Sequence, residues 1–319
     1  MSTADFYKDT LASVITMNKS LVSAQQTLFK KDYDKDLPQI FIVGAPRGGK
    51  MFTYSSLIRS LDIAYIDNIT MRFWQAPLFG IYLSKNILQN QRVLSYSSHF
   101  GITPLSSDPG EFPYFWKDWL GTHENPKAVE DVDWEGLQFI LHQMASAHGK
   151  PLSHQALDIF YHLDKICTLF TNALFIRLWR NPIDNAMSIL KARMTYTNRK
   201  DEWISFRPSN YTRAKELPWQ DQIAQQLYGI KNDMTDRLSN AKNVINLSFD
   251  EQCANPGGIV DAVEEWLKSS GYPVERLAPP PEPYVPRGYP DNEDKQKLTE
   301  ALERLFTAEE LHSCGMPNP

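Results

Sequence analysis

A short apolar run that leads into a glycine-rich turn and then a helix constrains this chain more than any other feature. Residues 40–43 form a buried-strand pattern, residues 44–49 form a Gly/Pro-rich turn, and a helical pattern covers residues 52–61. Glycines in such a turn let successive backbone N–H groups converge, and the start of the helix adds a partial positive charge. Arg47 and Lys50 add two full charges. The unit therefore predicts an anion-binding cradle.

Strand and helix patterns alternate along the rest of the chain. Strand patterns lie at residues 63–66, 92–96, 173–179 and 243–249, and helical patterns at residues 134–148, 182–193, 220–238, 258–268 and 292–312. This alternation predicts an α/β fold with a mostly parallel β-sheet flanked by helices on both faces. In such sheets, ligands bind beyond the carboxyl ends of the strands.

The flanking segments suggest a simple domain organisation. Residues 1–37 are predicted to form an N-terminal amphipathic helix ahead of a single domain over residues 38–319. Within that domain, residues 101–121 lack periodicity and are rich in Pro, Gly and aromatics, which is typical of a loop that lines a site. A proline-rich loop is expected over residues 279–290, ahead of the terminal helix.

Charge and cysteine content narrow the class of protein. The 319 residues include 33 Lys and Arg against 38 Asp and Glu, a formal net charge of -5, which excludes a nucleic-acid binder that relies on bulk positive charge. The three cysteines are far apart and match neither a disulfide framework nor a zinc pattern. Because the chain has no apolar run of about 20 residues and no secretion signal, we expect a cytoplasmic enzyme without a membrane or nucleic-acid partner. The sequence does not indicate an oligomeric state.

The turn also matches the phosphate loop of nucleoside-triphosphate enzymes up to its last position. After Gly44-x4-Gly49-Lys50 that pattern requires Ser or Thr as a magnesium ligand, and this chain has Met51. A thioether is a poor ligand for Mg²⁺. We therefore expect phosphate binding without a metal, and a metal-dependent kinase or related enzyme stays as the rival hypothesis.

A second anion site is indicated by residues 173–193, which read ALFIRLWRNPIDNAMSILKAR. The apolar strand places Arg180 at its end, and Ser188 follows about two turns into the next helix. Both side chains can then converge on one anion at the carboxyl edge of the sheet.

Together these segments resemble the PAPS-dependent sulfotransferases, which use 3′-phosphoadenosine 5′-phosphosulfate (PAPS) as donor and release 3′,5′-ADP. IFIVGAPRGGKMFTYSSLI is similar to the family's first phosphate element, ALFIRLWRNPIDNAMSILKAR to its second, and VINLSFDEQCANPGGIVDAVEEWL to a later structural element. The resemblance covers about residues 38–270. It implies the P-loop nucleoside-triphosphate-hydrolase-like sulfotransferase fold, with the 3′-phosphate on Arg180 and Ser188. The implied contacts of the 5′-phosphosulfate are Arg47, Gly48, Gly49, Lys50, Met51 and Phe52.

One departure from the family concerns the first loop. The family usually has Pro-(Arg/Lys)-Ser-Gly-Thr-Thr, and residues 46–51 here lack its three hydroxyl side chains. Lys50 offers a charge-assisted contact in their place. A catalytically inactive nucleotide-binding relative therefore stays open as an alternative. Arg287 and Gly288 are candidates for the basic segment that closes over the 3′-phosphate in the family.

The resemblance also implies a base that takes the proton of an acceptor hydroxyl or, less readily, an amine. His99 has a suitable ordinary pKa, and Glu111 lies in an aromatic run where burial would raise its pKa; both remain candidates. Arg47 and Lys50 are expected to stabilise the sulfuryl oxygens and the leaving phosphate. The other histidines are assigned surface or core roles.

Predicted acceptor-lining residues are Arg72, Phe73, Trp74, Asp108, Phe112 and Trp116. We expect a small polar acceptor, cationic ones included, as in bacterial natural-product sulfotransferases.

Overall fold

The computed structural model describes residues 3–28, 37–89, 93–95, 102–286 and 288–312. Its strands are β1 (Gln39–Gly44), β2 (Ala64–Tyr65), β3 (Leu152–Gln155), β4 (Ala173–Trp179) and β5 (Val244–Ser248). Its helices are α1 (Thr3–Leu28), α2 (Lys50–Ser60), α3 (Pro77–Leu88), α4 (Pro113–Leu120), α5 (Trp134–His148), α6 (Leu163–Leu169), α7 (Pro182–Thr197), α8 (Tyr211–Ala214), α9 (Trp219–Arg237), α10 (Phe249–Ala254), α11 (Pro256–Ser269), α12 (Glu293–Glu303) and α13 (Ala308–His312).

The five strands form one parallel sheet in the order β2-β3-β1-β4-β5. Side chains alternate across β1: Phe41 and Val43 enter one apolar core, and Ile40 and Ile42 enter the other. Both faces of β1 are therefore buried under helices, which explains why its sequence is a continuous apolar run rather than an alternating one. The predicted α/β fold with a parallel sheet is confirmed.

The third strand of the sequence prediction is wrong over its described part. Residues 93–95 form no strand, and the remaining residues of the predicted strand (92 and 96) lie outside the described part of the chain. β3 takes the place in the sheet between β2 and β1. Two of its polar side chains have internal partners: Ser153 Oγ donates to Ala64 O at 2.7 Å, and His154 Nε2 lies 2.8 Å from Gln39 Oε1. A strand made of such residues lacks the apolar signal that predicts a buried strand.

The predictions for residues 101–121 and 292–312 also need correction. The segment predicted as irregular contains α4, which begins with a proline at its first position. The terminal helix is divided into α12 and α13, because Thr307 and Glu310 form a capping box: Thr307 N donates to Glu310 Oε2 at 2.8 Å and Glu310 N to Thr307 Oγ1 at 3.2 Å. The proline-rich segment has neither helix nor strand over its described residues.

Buried amides attach α1 to the region before α3. Asn18, fully buried, donates to Arg72 O at 2.8 Å and accepts from Gln75 N at 3.0 Å, and Gln25 Oε1 accepts from Leu78 N at 2.9 Å. In the described part of the chain, no helix combines the length and apolar character needed to cross a membrane.

Candidate active site

A cavity of about 400 Å³ opens where the carboxyl ends of β1 and β4 meet. One side is formed by the glycine-rich turn and the start of α2, residues 46–52, together with Arg180 and Phe249. Glu111 and His123 also line it. The cavity therefore lies at the edge of a parallel sheet where ligands usually bind.

Close packing on both sides shapes the glycine-rich turn. A Cβ at Gly44 would lie 2.5 Å from Leu178 O, so the turn can approach β4 only with glycine there. Gly49 has φ 96°, and a Cβ at that position would lie 2.2 Å from the Phe249 ring. Arg47 also has a positive φ, 63°. The first N–H groups of α2 consequently face the cavity end of the turn.

Lys50 is held inside the turn. Its Nζ donates to Gly44 O at 3.0 Å and to Ala45 O at 2.7 Å, and the side chain is buried. Burial lowers the pKa of Lys50 to about 8, with Glu111 opposing and Arg47 reinforcing that shift. Because an ammonium has three donors, one N–H of Lys50 is left for a ligand.

The structure places the two predicted anion-binding elements next to each other. Arg180 Nη1 donates to Arg47 O at 3.3 Å, and the Arg180 guanidinium lies 5.0 Å from the centre of the Phe249 ring. Arg47 Nε donates to Ser188 Oγ at 3.3 Å, and Asn185 Nδ2 donates to Pro46 O at 2.8 Å. Ser188 is buried under Arg47, so this contact joins the start of α7 to the turn.

One donor of Arg180 has no partner of its own. The Nε atom is buried and makes no hydrogen bond within the described part of the molecule. A buried charged donor without a partner is costly, and an anionic ligand in the cavity would remove that cost.

Glu111 is the carboxylate of the cavity. Gln155 Nε2 donates to Glu111 Oε1 at 2.6 Å, which fixes the carboxyl group. Burial raises the pKa of Glu111, and the positive charge of Lys50 partly offsets this. A carboxyl group with a raised pKa, held at a cavity wall, has the properties of a general base.

His123 is a cavity residue that the sequence analysis assigned to a structural role. Its Nδ1 lies 3.4 Å from Asp158 Oδ1 and its Nε2 lies 3.4 Å from Glu124 Oε1. A single His before an ordinary turn carries no local signal, so only the folded chain reveals this position. His99, the other predicted base, lies outside the described residues.

The remaining wall is mainly apolar. Leu157, Ile189, Ala192 and Ile204 line it, and Tyr196 and Ser205 add hydroxyl groups. Ile189, Ala192 and Tyr196 lie on one face of α7, because their spacing of three and four residues matches the helical repeat. A ligand with an apolar body fits this wall.

The six predicted acceptor residues, all within the described part of the chain, do not line this cavity: Arg72, Phe73, Trp74, Asp108, Phe112 and Trp116. Phe112 is buried and stacks on Phe115, with ring centres 4.6 Å apart. Trp116 is also buried, and Trp74 Nε1 donates to Asp118 Oδ2 at 3.0 Å. Phe112 and Trp116 therefore pack in the core.

Asp108 has a structural role for a similar reason. Its Oδ1 accepts from Ser95 N at 2.8 Å and its Oδ2 accepts from Leu105 N at 2.7 Å, so it ties together the loop around it. Arg72 is exposed and Phe73 is half-buried before α3. Among the described residues of the 101–121 segment, Glu111 is the one that lines the cavity.

The predicted closing segment is described only in part. Arg287 lies outside the described residues, and Gly288 is exposed and does not line the cavity. The neighbouring Tyr289 lies close enough to Arg47 to act on its pKa, although burial is the main influence and lowers that pKa. In the part of the chain that the structure describes, no group of three or more His, Cys, Asp and Glu residues is arranged to hold a metal ion.

Comparison with known proteins gives matches only among solved structures. No protein-family model and no curated protein matches the chain. A sulfotransferase from Alicyclobacillus acidocaldarius is 15% identical over 86% of this chain and 94% of that one, with a TM-score of 0.44. A sulfotransferase from Mycobacterium avium is 11% identical over 90% of this chain and 72% of that one, with a TM-score of 0.45. The sulfotransferase domain of the Synechococcus olefin synthase is 14% identical over 90% of this chain and 86% of that one, with a TM-score of 0.38. At these values, any functional conclusion depends on the residues of the cavity itself.

Proposed function

We propose that this protein is a sulfotransferase that uses PAPS as donor and an acceptor hydroxyl, or less readily an amine, as nucleophile. The observation that carries the proposal is the position of Arg180. Its guanidinium contacts the glycine-rich turn through Arg47 O, and its buried Nε lacks a partner. A donor with phosphate groups at both ends of one nucleoside matches two adjoining anion-binding elements better than a simple phosphate does.

The residues present suit the donor. Backbone N–H groups at the start of α2, with Arg47 and the free N–H of Lys50, would hold the 5′-phosphosulfate. Arg180 and Ser188 would hold the 3′-phosphate, and the rings of Phe52 and Phe249, with centres 6.3 Å apart, offer apolar surface beside the turn. PAPS, when bound, supplies an activated sulfuryl group.

Glu111 would act as the base. The carboxylate, fixed by Gln155, takes the proton from the acceptor hydroxyl and so raises the nucleophilicity of its oxygen. Arg47 and Lys50 stabilise negative charge on the side of the glycine-rich turn. The apolar residues Leu157 and Ile189 limit the entry of water, which would compete with the acceptor.

Binding of nucleotides tests this proposal directly. We expect 3′,5′-ADP to bind at least about tenfold more tightly than 5′-AMP, since one additional charge-assisted contact contributes more than the 1.4 kcal/mol of a tenfold change. Isothermal titration with and without Mg²⁺ measures the affinity for each nucleotide. Transfer of labelled sulfate from PAPS to a panel of alcohols and phenols measures turnover. Mg²⁺-dependent binding of ATP without affinity for 3′,5′-ADP would instead establish a nucleoside-triphosphate enzyme. Tight 3′,5′-ADP binding without transfer to any acceptor would establish an inactive relative.

The pH dependence of donor binding tests the role of Lys50. Because burial holds the pKa of Lys50 at about 8, its ammonium loses its charge as the pH rises through that value. The affinity for 3′,5′-ADP should therefore be greatest below pH 8 and fall by up to about tenfold per pH unit above it, until the pKa of the bound form is reached. Titration between pH 6.5 and 9.5 measures this. The Lys50→Met variant should bind more weakly at pH 7 and lack the step, and a step of equal size in that variant would assign it to another group.

A further inference from the structure

The loop that follows α7 carries an uncommon backbone conformation at the wall of the cavity. Ser205 has φ 66°, in the left-handed region that side chains other than Asn and Asp rarely occupy. Ser205 and its neighbour Ile204 both line the cavity. A conformation of this kind persists only where the surrounding structure holds it, and such positions concentrate at functional sites.

A buried polar network beneath the loop holds this conformation. Gln226 Nε2 donates to Ile204 O at 2.8 Å and to Phe206 O at 3.0 Å, so a single amide group fixes the carbonyls on both sides of Ser205. Gln226 is fully buried, and its Oε1 accepts from Arg193 Nη2 at 3.4 Å. The orientation of the Gln226 amide is therefore set by Arg193.

Arg193 is a fully buried charge that serves this network. Its Nη1 donates to Gln222 Oε1 and to Lys200 O, both at 2.9 Å, and its guanidinium lies 5.5 Å from the centre of the Trp203 ring. Burial lowers the pKa of Arg193 to about 10, so the side chain remains charged at neutral pH. Trp203 Nε1 in turn donates to Phe206 O at 2.8 Å. Gln226 and Trp203 thus bond to the backbone around Ser205, and Arg193 contacts both of these side chains.

We propose that Ser205 determines acceptor specificity: its hydroxyl bonds to a second polar group of the acceptor, separate from the hydroxyl that receives the sulfuryl group. Arg193 and Gln226 are positioning residues for it. The neighbouring wall combines the apolar residues Leu157, Ile189 and Ala192 with the hydroxyl groups of Tyr196 and Ser205. Ser205 is the hydroxyl whose backbone the Gln226 amide holds on both sides. The proposal rests on the proposed function and narrows its acceptor class to molecules with an apolar body and two separated polar groups.

A pair of probes that differ by one hydroxyl group tests the role of Ser205. Titration of 2-naphthol and of 2,6-dihydroxynaphthalene into the complex with 3′,5′-ADP gives both affinities. In Ser205→Ala we expect the affinity for the diol to fall by about two- to tenfold, the range of one neutral hydrogen bond, and the affinity for 2-naphthol to change less than about twofold. Ser205→Gly should give the same result without backbone strain, since glycine occupies a positive φ readily.

Two further variants separate specificity from folding. Gln226→Glu keeps an oxygen for Arg193 but removes the amide donors to Ile204 and Phe206. We therefore expect this variant, like Ser205→Ala, to bind the diol more weakly while its affinity for 2-naphthol changes little. With the diol as acceptor, KM should rise and kcat should stay constant. Asn198, at φ 53° after α7, is the matched control, because Asn198→Ala alters a left-handed residue that does not line the cavity.

The outcomes distinguish this proposal from the proposed function. Absence of 3′,5′-ADP binding to the wild-type protein overturns the proposed function. If 3′,5′-ADP binds but both probes respond equally to Ser205→Ala, or neither probe binds to the wild-type complex, the role of Ser205 is overturned. Loss of diol preference in Ser205→Ala, Ser205→Gly and Gln226→Glu, with Asn198→Ala unchanged, supports it.

Discussion

Replacing Glu111 by Gln is expected to lower kcat by about 10²- to 10⁴-fold, which is the contribution of a positioned general base. The amide keeps the size of the side chain but cannot accept a proton from the acceptor hydroxyl. Affinity for 3′,5′-ADP should stay the same or increase, because the change removes a negative charge near Lys50 and Arg47. Steady-state kinetics with labelled PAPS and titration with 3′,5′-ADP measure the two effects.

The pH profile gives this prediction a second readout. Burial raises the pKa of Glu111, so the fraction of carboxylate, and with it kcat/KM of the wild-type protein, should increase as the pH rises through that value. Glu111→Gln should lack this limb. The folded state favours the neutral carboxyl, so the ionised group lowers stability above its ordinary pKa. The variant should therefore unfold at the same or a higher temperature than the wild-type protein at pH 7.

Matched histidine variants show whether Glu111 or another group is the base. His123→Gln removes the imidazole that lines the cavity, and His99→Gln removes the alternative indicated by the sequence. If Glu111→Gln keeps the wild-type rate while either histidine variant loses about 10²-fold or more, the base is that histidine. A loss in Glu111→Gln alone supports the proposed assignment.

Strands with strong apolar patterns were predictable from the sequence, and polar ones were not. The prediction for β4 matches its bounds because every residue in that strand is buried. β3 was missed because Ser153 and His154 have partners that become adjacent only when β1, β2 and β3 assemble. The division of the terminal helix was visible in principle, since the residues of its capping box stand three apart in the sequence.

The candidate site shows the same limit. The glycine-rich turn and the Arg180–Ser188 pair have local spacings, so sequence alone could indicate them. Phe249, His123 and Ser205 belong to distant segments, and no local pattern connects them to the turn. The acceptor role of Phe112 and Trp116 stays a prediction, because apolar rings near a site and rings in a core give the same sequence pattern. Phe249 is the first residue after the last strand, and its place at the same sheet edge as the turn follows from the parallel arrangement of the strands.

Replacing Arg180 by Ala is expected to weaken binding of 3′,5′-ADP by about 100-fold and of 5′-AMP by less than about threefold. A hydrogen bond to a charged group contributes about 1.5–3 kcal/mol, and the loss of a guanidinium that contacts one phosphate through two donors amounts to about 3 kcal/mol. Isothermal titration with both nucleotides measures the difference. The affinity of Arg180→Lys for 3′,5′-ADP should lie between those of the wild-type protein and Arg180→Ala, because lysine keeps the charge but lacks the planar pair of donors.

The Asn185→Ala variant separates the ligand contact of Arg180 from its support of the turn. Arg180 Nη1 also donates to Arg47 O, so part of the effect could come from a loosened turn. Asn185→Ala removes a different support of the turn, the bond from Asn185 Nδ2 to Pro46 O, and leaves the proposed 3′-phosphate contacts Arg180 and Ser188 in place. A loosened turn would weaken both nucleotides to the same extent, because the 5′-phosphate binds there. If Arg180→Ala also weakens both equally, Arg180 acts only on the turn, and the assignment of a donor with a 3′-phosphate fails.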